Sequence, residues 1–409
     1  VPGRIVIDGV VREFFFHRPF GWRFWLRAAL EKGRGGLPLV VMFPEGYVSD
    51  RRGGRRPEDP EHFLLRWPLS EAWELDPNTV FTPRPAGDPL EDPPGALRYW
   101  DDQFFVLAVY PVGWRGLPKT DEHDAPSTDP NFPPALLRRT GAWNPGGFTP
   151  NEQPQDDVLA VRRILELMEH DLVQQYQLGP ITTAFDADRK FLFGRGDGGM
   201  MALRLAHEDP NGTWAAIWVT GASMGGKASG LDGEEEVRNE PVVGIGRDRF
   251  ALSFFAHHGG ADIDVPPELP PLPPPTPATL AELPMIRSRG RTDELEETGI
   301  LDVKAAEYAT RYLALDEMLR AYRQLNDLDE VFPVIEPARS VLYFPPAPQL
   351  NSTRTQWGAP PVSVTHYNDP HMDHFNYYDL PTPYFTPREI WEFFKAHPRT
   401  RRPERVVRP

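Results

Sequence analysis

The sequence predicts an α/β fold with a mostly parallel central sheet flanked by helices. Three observations carry this. Continuous apolar runs of strand length, LPLVVMF at 37–43 and FFVLAVY at 104–110, suit strands buried on both faces. Segments with helical spacing lie between such runs, as at 155–178, where Val158, Val161, Ile164, Leu165, Met168 and Leu172 form one stripe. The two kinds alternate along the chain, as a parallel sheet with helical crossovers requires.

The elements follow in order. Residues 4–16, RIVIDGVVREFFF, carry β-branched and aromatic bias, with Gly9 as a turn between two strands. After the runs at 37–43 and 104–110 and the helix at 155–178, a polar turn (Asp186, Asp188, Arg189) leads into a short apolar strand, Lys190 to Phe193. A helix is expected over Gly199 to Ala206. Trp214 to Val219 and Ala251 to Ala256 read as two more buried strands, and Ala305 to Leu325 as a long amphipathic helix. A last strand is expected at Val362 to Tyr367 and a last helix at Pro387 to Ala396.

The chain of 409 residues is read as a single domain with long additions. Residues 50–97 are rich in Pro and Arg, and 113–154 are loop-like. Residues 264–300 include PPELPPLPPPTP, a stiff extended connector, since each proline ring fixes φ and removes a donor. Residues 301–345 are expected to form a helical, cap-like segment.

Composition narrows the function. There is no cysteine, which excludes disulfides, thiolate metal sites and a cysteine nucleophile. A net charge of −15 argues against nucleic acid and against anionic membranes. No apolar run is long enough to span a membrane. Of 44 basic residues six are lysine, and 48 residues are proline. A GC-rich genome and a thermophilic, thermostable origin each account for that. The chain starts at Val1, and residues 1–30 lack the pattern of a signal peptide. The expectation is a leader already removed or a trimmed start.

The sharpest motif is FGRGDGG at 193–199. Strand, tight glycine corner and helix make the layout of a nucleophile elbow, normally Gly-x-Ser-x-Gly. Here the middle position is Gly196, which has no side chain and cannot attack a carbonyl.

Several stretches resemble the secreted esterase family of α/β-hydrolases that includes poly(3-hydroxybutyrate) depolymerases and feruloyl esterases. LPLVVMFPEG at 37–46 looks like its oxyanion strand, which usually ends in His-Gly-Gly. VYPVGW at 109–114, AWN at 142–144, DDVLAVRRILELM at 156–168 and EIWEFFKAHP at 389–398 are similar to its later segments. FDADRKFLFGRGDGGMMALRLAHEDP at 185–210 is the closest match, and HHGGADIDVPP at 257–267 resembles the loop of the triad acid. The resemblance implies an α/β-hydrolase fold, no cofactor, and a secreted or cell-surface location rather than a cytoplasmic one. It puts the triad acid on Asp262, the histidine on His374 or alternatively His371, and the absent nucleophile on Gly196. The oxyanion His-Gly falls on Phe43-Pro44, and proline has no N–H to donate. The N–H of Asp197 remains available as a donor.

Rival readings weaken on inspection. Gly221-Ala222-Ser223-Met224-Gly225 spells the elbow, but KASGLDGEEEVRNE follows it, polar and glycine-broken, where an apolar helix is needed. Ser223 is the alternative nucleophile, though a plain loop role is expected. Asp197 as nucleophile would shift the frame and put Arg195 where a small residue belongs. The run HYNDPHMDH at 366–374 offers His and Asp, but nothing in a proline-broken loop makes three ligands converge, so no metal is expected. His257-His258 reads as packing. The sequons at Asn211 and Asn351 are frequent by chance, and the glycine corner lacks the Lys-Ser/Thr of a phosphate loop.

The expected function is a catalytically impaired member of that esterase family, a pseudoenzyme with a binding or assembly role. Its partner would be another protein or a second copy of itself, with an ester or polyester as possible ligand. The alternative is an active carboxylesterase or polyester depolymerase working through Ser223 or another unconventional nucleophile.

Overall fold

The computed structural model describes residues 2–7, 10–19, 21–44, 103–111, 143, 156–175, 183–209, 211–224, 250–259, 315–328, 334–336, 352–369 and 387–401. The segments 50–97, 113–142, 144–154 and 264–300, expected as insertions, lie outside the described residues, as do 305–314.

Among the described residues, ten strands form one sheet. They are β1 (Pro2–Ile7), β2 (Val10–His17), β3 (Leu37–Phe43), β4 (Phe105–Val109), β5 (Phe185–Arg195), β6 (Ala216–Thr220), β7 (Ser253–Gly259), β8 (Val334–Glu336), β9 (Ser352–Ala359) and β10 (Val362–Asp369). Their spatial order is β1-β2-β4-β3-β5-β6-β7-β10-β9-β8. The six central strands, β4 to β10, run parallel, with antiparallel hairpins closing both ends. The described helices are α1 (Trp22–Glu31), α2 (Asp157–Gln175), α3 (Gly196–His207), α4 (Leu315–Leu325) and α5 (Pro387–Ala396). None of these is long and apolar enough to cross a membrane.

Strand alternation divides the core in two. Leu37, Leu39, Val41 and Phe43 of β3 join the cluster that also takes Leu26, Val161, Met201 and Met318 from α1, α2, α3 and α4. Val40 and Met42 point the other way, into the cluster closed by Ile390, Trp391 and Phe394 of α5. There Trp391 stacks on Phe104 with centroids 4.0 Å apart, and Phe394 stacks on Phe191 at 4.8 Å. Burial on both faces explains why the central strands read as unbroken apolar runs.

The Asp-Asp-Val start of α2 has a division of labour. Asp156 Oδ1 accepts from the Leu159 N–H at 2.9 Å, capping the helix. Asp157 is fully buried and pairs with the buried Arg12 of β2. A second pair, Arg189 to Asp186 at 2.7 Å, explains the polar stretch before the elbow. The expected turn there is a bulge inside β5: pairing jumps from Phe185 opposite Leu37 to Lys190 opposite Leu39. The strand therefore begins at Phe185, five residues before its apolar run. Asp186 Oδ1 accepts the Asp188 N–H at 2.9 Å, so the polar side chains satisfy the bulge locally.

The segment expected to be cap-like is built into the main layers where it is described. Tyr322 of α4 stacks on Phe254 of β7 at 4.4 Å. Asn326, just beyond α4, accepts the Leu252 N–H at 2.9 Å and donates to its carbonyl at 2.7 Å. Val334–Glu336 is the edge strand β8 rather than part of a helical unit. The sequence reading had no element at α1, whose Phe24 is 66% exposed, nor at β9, which is polar and lies next to the edge.

Removing one partner of a buried ion pair leaves an uncompensated charge. Arg12→Met is expected to cost about 3–5 kcal/mol of unfolding free energy, and Arg12→Met with Asp157→Leu to regain most of it. Urea denaturation of the three forms checks this. A second expectation concerns acid. Burial above all, with Arg18 adding to it, lowers the His17 pKa from 6.5 to about 4. A base with a depressed native pKa stabilises the fold above its unfolded pKa and loses that contribution as pH falls. Denaturation midpoints are thus expected to be flat above pH 6.5 and to fall between 6.5 and about 4, with His17→Gln removing of the order of 2–3 kcal/mol of that fall.

Candidate functional site

The parallel strands end along one edge, where open α/β sheets bind their ligands. Register places Phe43 beside Gly194, Arg195 beside Thr220, and Thr220 beside His257. The next pair along the edge is Gly259 with Asp369. Asp262, His371 and His374 lie outside the described residues. The strands that precede them in the chain, β7 and β10, are neighbours and end at this shared edge.

At the corner between β5 and α3 the backbone turns sharply. Arg195 is extended, with φ −139 and ψ 142, and Gly196 follows with φ +51. Helix α3 then begins at Gly196, three residues before the expected start. A positive φ at the residue that joins strand to helix is the strained conformation of an elbow's central position. Here the residue is one that takes it without strain, and it offers no nucleophile.

The surrounding glycines are fixed by close approach, of backbone at Gly194 and Gly198 and of the Ala222 side chain at Gly199. A Cβ on Gly194 would stand 2.5 Å from the Gly198 carbonyl oxygen. One on Gly198 would collide with the carbonyl oxygens of Phe43 and Pro44 and lie 2.8 Å from the Phe43 carbonyl carbon. One on Gly199 would meet Ala222 Cβ at 2.6 Å. The expected oxyanion residues therefore present carbonyls to the first turn of α3.

Trp143 seals this junction from outside. It is buried, its indole N–H donates to the Pro44 carbonyl at 2.7 Å, and its ring meets Phe43 edge-on at 5.4 Å. The role was missed in the sequence, where Trp143 appeared only as part of the AWN loop. An isolated tryptophan gives no sign of which carbonyl it reaches.

Ser223 lies beside the corner at the end of β6 but lacks an elbow's geometry. It is 1% exposed, and its hydroxyl points at Met318 Sδ, 4.0 Å away. The positive φ falls two residues earlier, on Gly221 at +56, and residues 221–224 are not helical. Among described residues the one non-glycine with positive φ is Asp327. Arg195 is buried, and so are His257 and His258 at the end of β7, with His257 edge-on to Tyr367 at 5.5 Å. Among the described residues no group of three metal-ligating side chains assembles.

Among solved structures, the chain is similar to an acetyl xylan esterase from Aspergillus awamori, at 10% identity and a TM-score of 0.43, over 96% of this chain and 98% of that one. It is similar to a siderophore hydrolase from Aspergillus nidulans at 12% identity and a TM-score of 0.38, over 97% and 92% of the two chains. A poly(3-hydroxybutyrate) depolymerase from Bordetella parapertussis matches at 15% identity and a TM-score of 0.33, over 80% and 88%. No protein-family model matches the chain, and no curated protein does. The fold is α/β: a mostly parallel sheet with helices packed on both faces and a strand–corner–helix unit at the junction of β5 and α3.

The corner generates a contrast between two substitutions. Gly198→Ala drives a methyl into backbone carbonyls that cannot yield, and is expected to cost upward of about 2 kcal/mol. Gly196→Ser bears the left-handed penalty, about 1–2 kcal/mol. Thermal unfolding of both variants should rank Gly198→Ala the more damaging.

Proposed function

We propose that this protein is a catalytically impaired esterase-fold protein that binds rather than cleaves. The observation that carries this is Gly196, set at φ +51 where the layout calls for a nucleophile. A covalent route through the corner needs a hydroxyl that glycine lacks. Pro44 supports the same reading, because it cannot donate an N–H to an oxyanion, and one such donor is worth about 10²–10³ in rate. The Asp197 N–H alone remains at the head of α3. Asp262 and His374, or His371, are on this reading vestigial, with no nucleophile to serve. The Pro- and Arg-rich insertions supply surface for a protein partner or a second copy of the chain, and the crevice an ester-like ligand. A secreted or cell-surface location fits the resemblance read from the sequence.

A second reading is an active carboxylesterase using Ser223, favoured by its place next to the corner. Burial and an ordinary backbone conformation count against it.

Hydrolysis of p-nitrophenyl acetate and butyrate separates the two. The parent is expected to match buffer. Gly196→Ser is expected to give a faint gain, and Gly196→Ser with Pro44→Gly a further rise of about 10²–10³. Turnover by the parent that disappears in Ser223→Ala would establish the second reading, as would a fluorophosphonate adduct on Ser223.

A further inference from the structure

The opposite end of the sheet carries a hydrogen-bonded chain that the proposed function does not use. His397, immediately after α5, is buried. Its Nδ1 lies 2.6 Å from the Phe393 carbonyl oxygen and its Nε2 2.8 Å from Ser363 Oγ. A carbonyl only accepts, so Nδ1 carries the proton and Nε2 accepts from the Ser363 hydroxyl. The Ser363 N–H donates to Ser253 Oγ at 3.2 Å, and the Ser253 hydroxyl donates to the Pro361 carbonyl at 3.3 Å. Every hydroxyl proton is committed in one direction.

This chain sits where the C-terminal segment is fastened to the sheet. The Arg399 N–H donates to the Asp188 carbonyl at 2.7 Å, and its guanidinium pairs with the Asp188 carboxylate at 3.0 Å. The Ala251 N–H donates to the Thr400 carbonyl at 2.9 Å, and Arg401 bridges to Phe250. Residues 397–401 thus tie together α5, the bulge of β5 and the entry to β7.

We propose that the Ser253–Ser363–His397 relay is an acid-sensitive latch that holds residues 397–401 against the sheet. A second proton on His397 would turn Nε2 into a donor facing the Ser363 hydroxyl, whose own proton would lose the acceptor it has now. Among the described residues, the groups packed on the ring are Ser363 of β10, with Ser253 of β7 behind it, and Phe393 of α5. None carries charge to stabilise an imidazolium. Of the described charged groups at this end, Arg399 pairs with Asp188 and Lys395 with Glu392, and Arg401 lies beyond Thr400 at the bridge to Phe250. Burial lowers the His397 pKa from 6.5, against the raising effect of the Phe393 carbonyl. Protonation is therefore coupled to opening.

The test is amide hydrogen exchange of the full chain at pH 7.5 and 5.0, corrected for intrinsic rates, read over residues 397–401 with β3 as a control for global opening. If the open state titrates as an ordinary histidine, opening grows by up to about 30-fold between these pH values. A loss of tail protection of tenfold or more, with β3 still protected, is the expected result. His397→Gln keeps a donor for Phe393 and an acceptor for Ser363 without titrating, and should show equal protection at both pH values. Ser363→Ala serves if that variant does not fold: its tail should be weakly protected at both. Unchanged protection in the parent, or an acid response that persists in either variant, would overturn the latch.

Discussion

Backbone packed directly on backbone is the constraint on which the centre of this molecule depends. Where β3, β5, β6 and α3 meet, the chain leaves no room for a Cβ at Gly194, Gly198 or Gly199. That closeness lets a helix spring from a strand in a single step, and it brings four elements to one point without a loop. The corner is thus a device of sterics and needs no particular side chain at its tip. A hydroxyl there would add chemistry, yet the architecture stands without it. This is why the strand–corner–helix unit can stand intact around Gly196.

The central strands were legible because both their faces are buried. LPLVVMF and FFVLAVY have no other use for so many consecutive apolar residues, and α2 showed itself by its stripe. What escaped detection lay where burial is one-sided or where a side chain serves a distant backbone. Helix α1 exposes Phe24 and half-buries Trp25, which blurs its apolar face. Strand β9 is paired on both sides but polar, so STRTQWGA carries no alternation. The opening of β5 looked like a turn because Asp186 and Arg189 face each other across a bulge, a pairing visible only once both are placed.

Of the candidate site, the sequence shows residue identities but not their geometry. A missing hydroxyl is a one-letter fact, so Gly196 stood out at once, and Pro44 followed from register with the oxyanion strand. Backbone conformation was beyond the sequence. The Ser223 motif spells an elbow letter for letter, and only the location of the positive φ, on Gly221 and not on the serine, separates spelling from geometry. Long-range side-chain contacts were equally hidden: nothing in AWN tells that Trp143 will reach Pro44, 99 positions away.

Asn326 shows how such contacts shape tolerance to change. Its amide group copies the donor and acceptor of a neighbouring peptide, and Leu252 receives it through main-chain atoms alone. The helix is thereby moored to the polypeptide itself, at a spot indifferent to which residue stands there. Drift at position 252 is limited by its burial, not by its pairing, whereas the asparagine admits no substitute that lacks both halves of an amide.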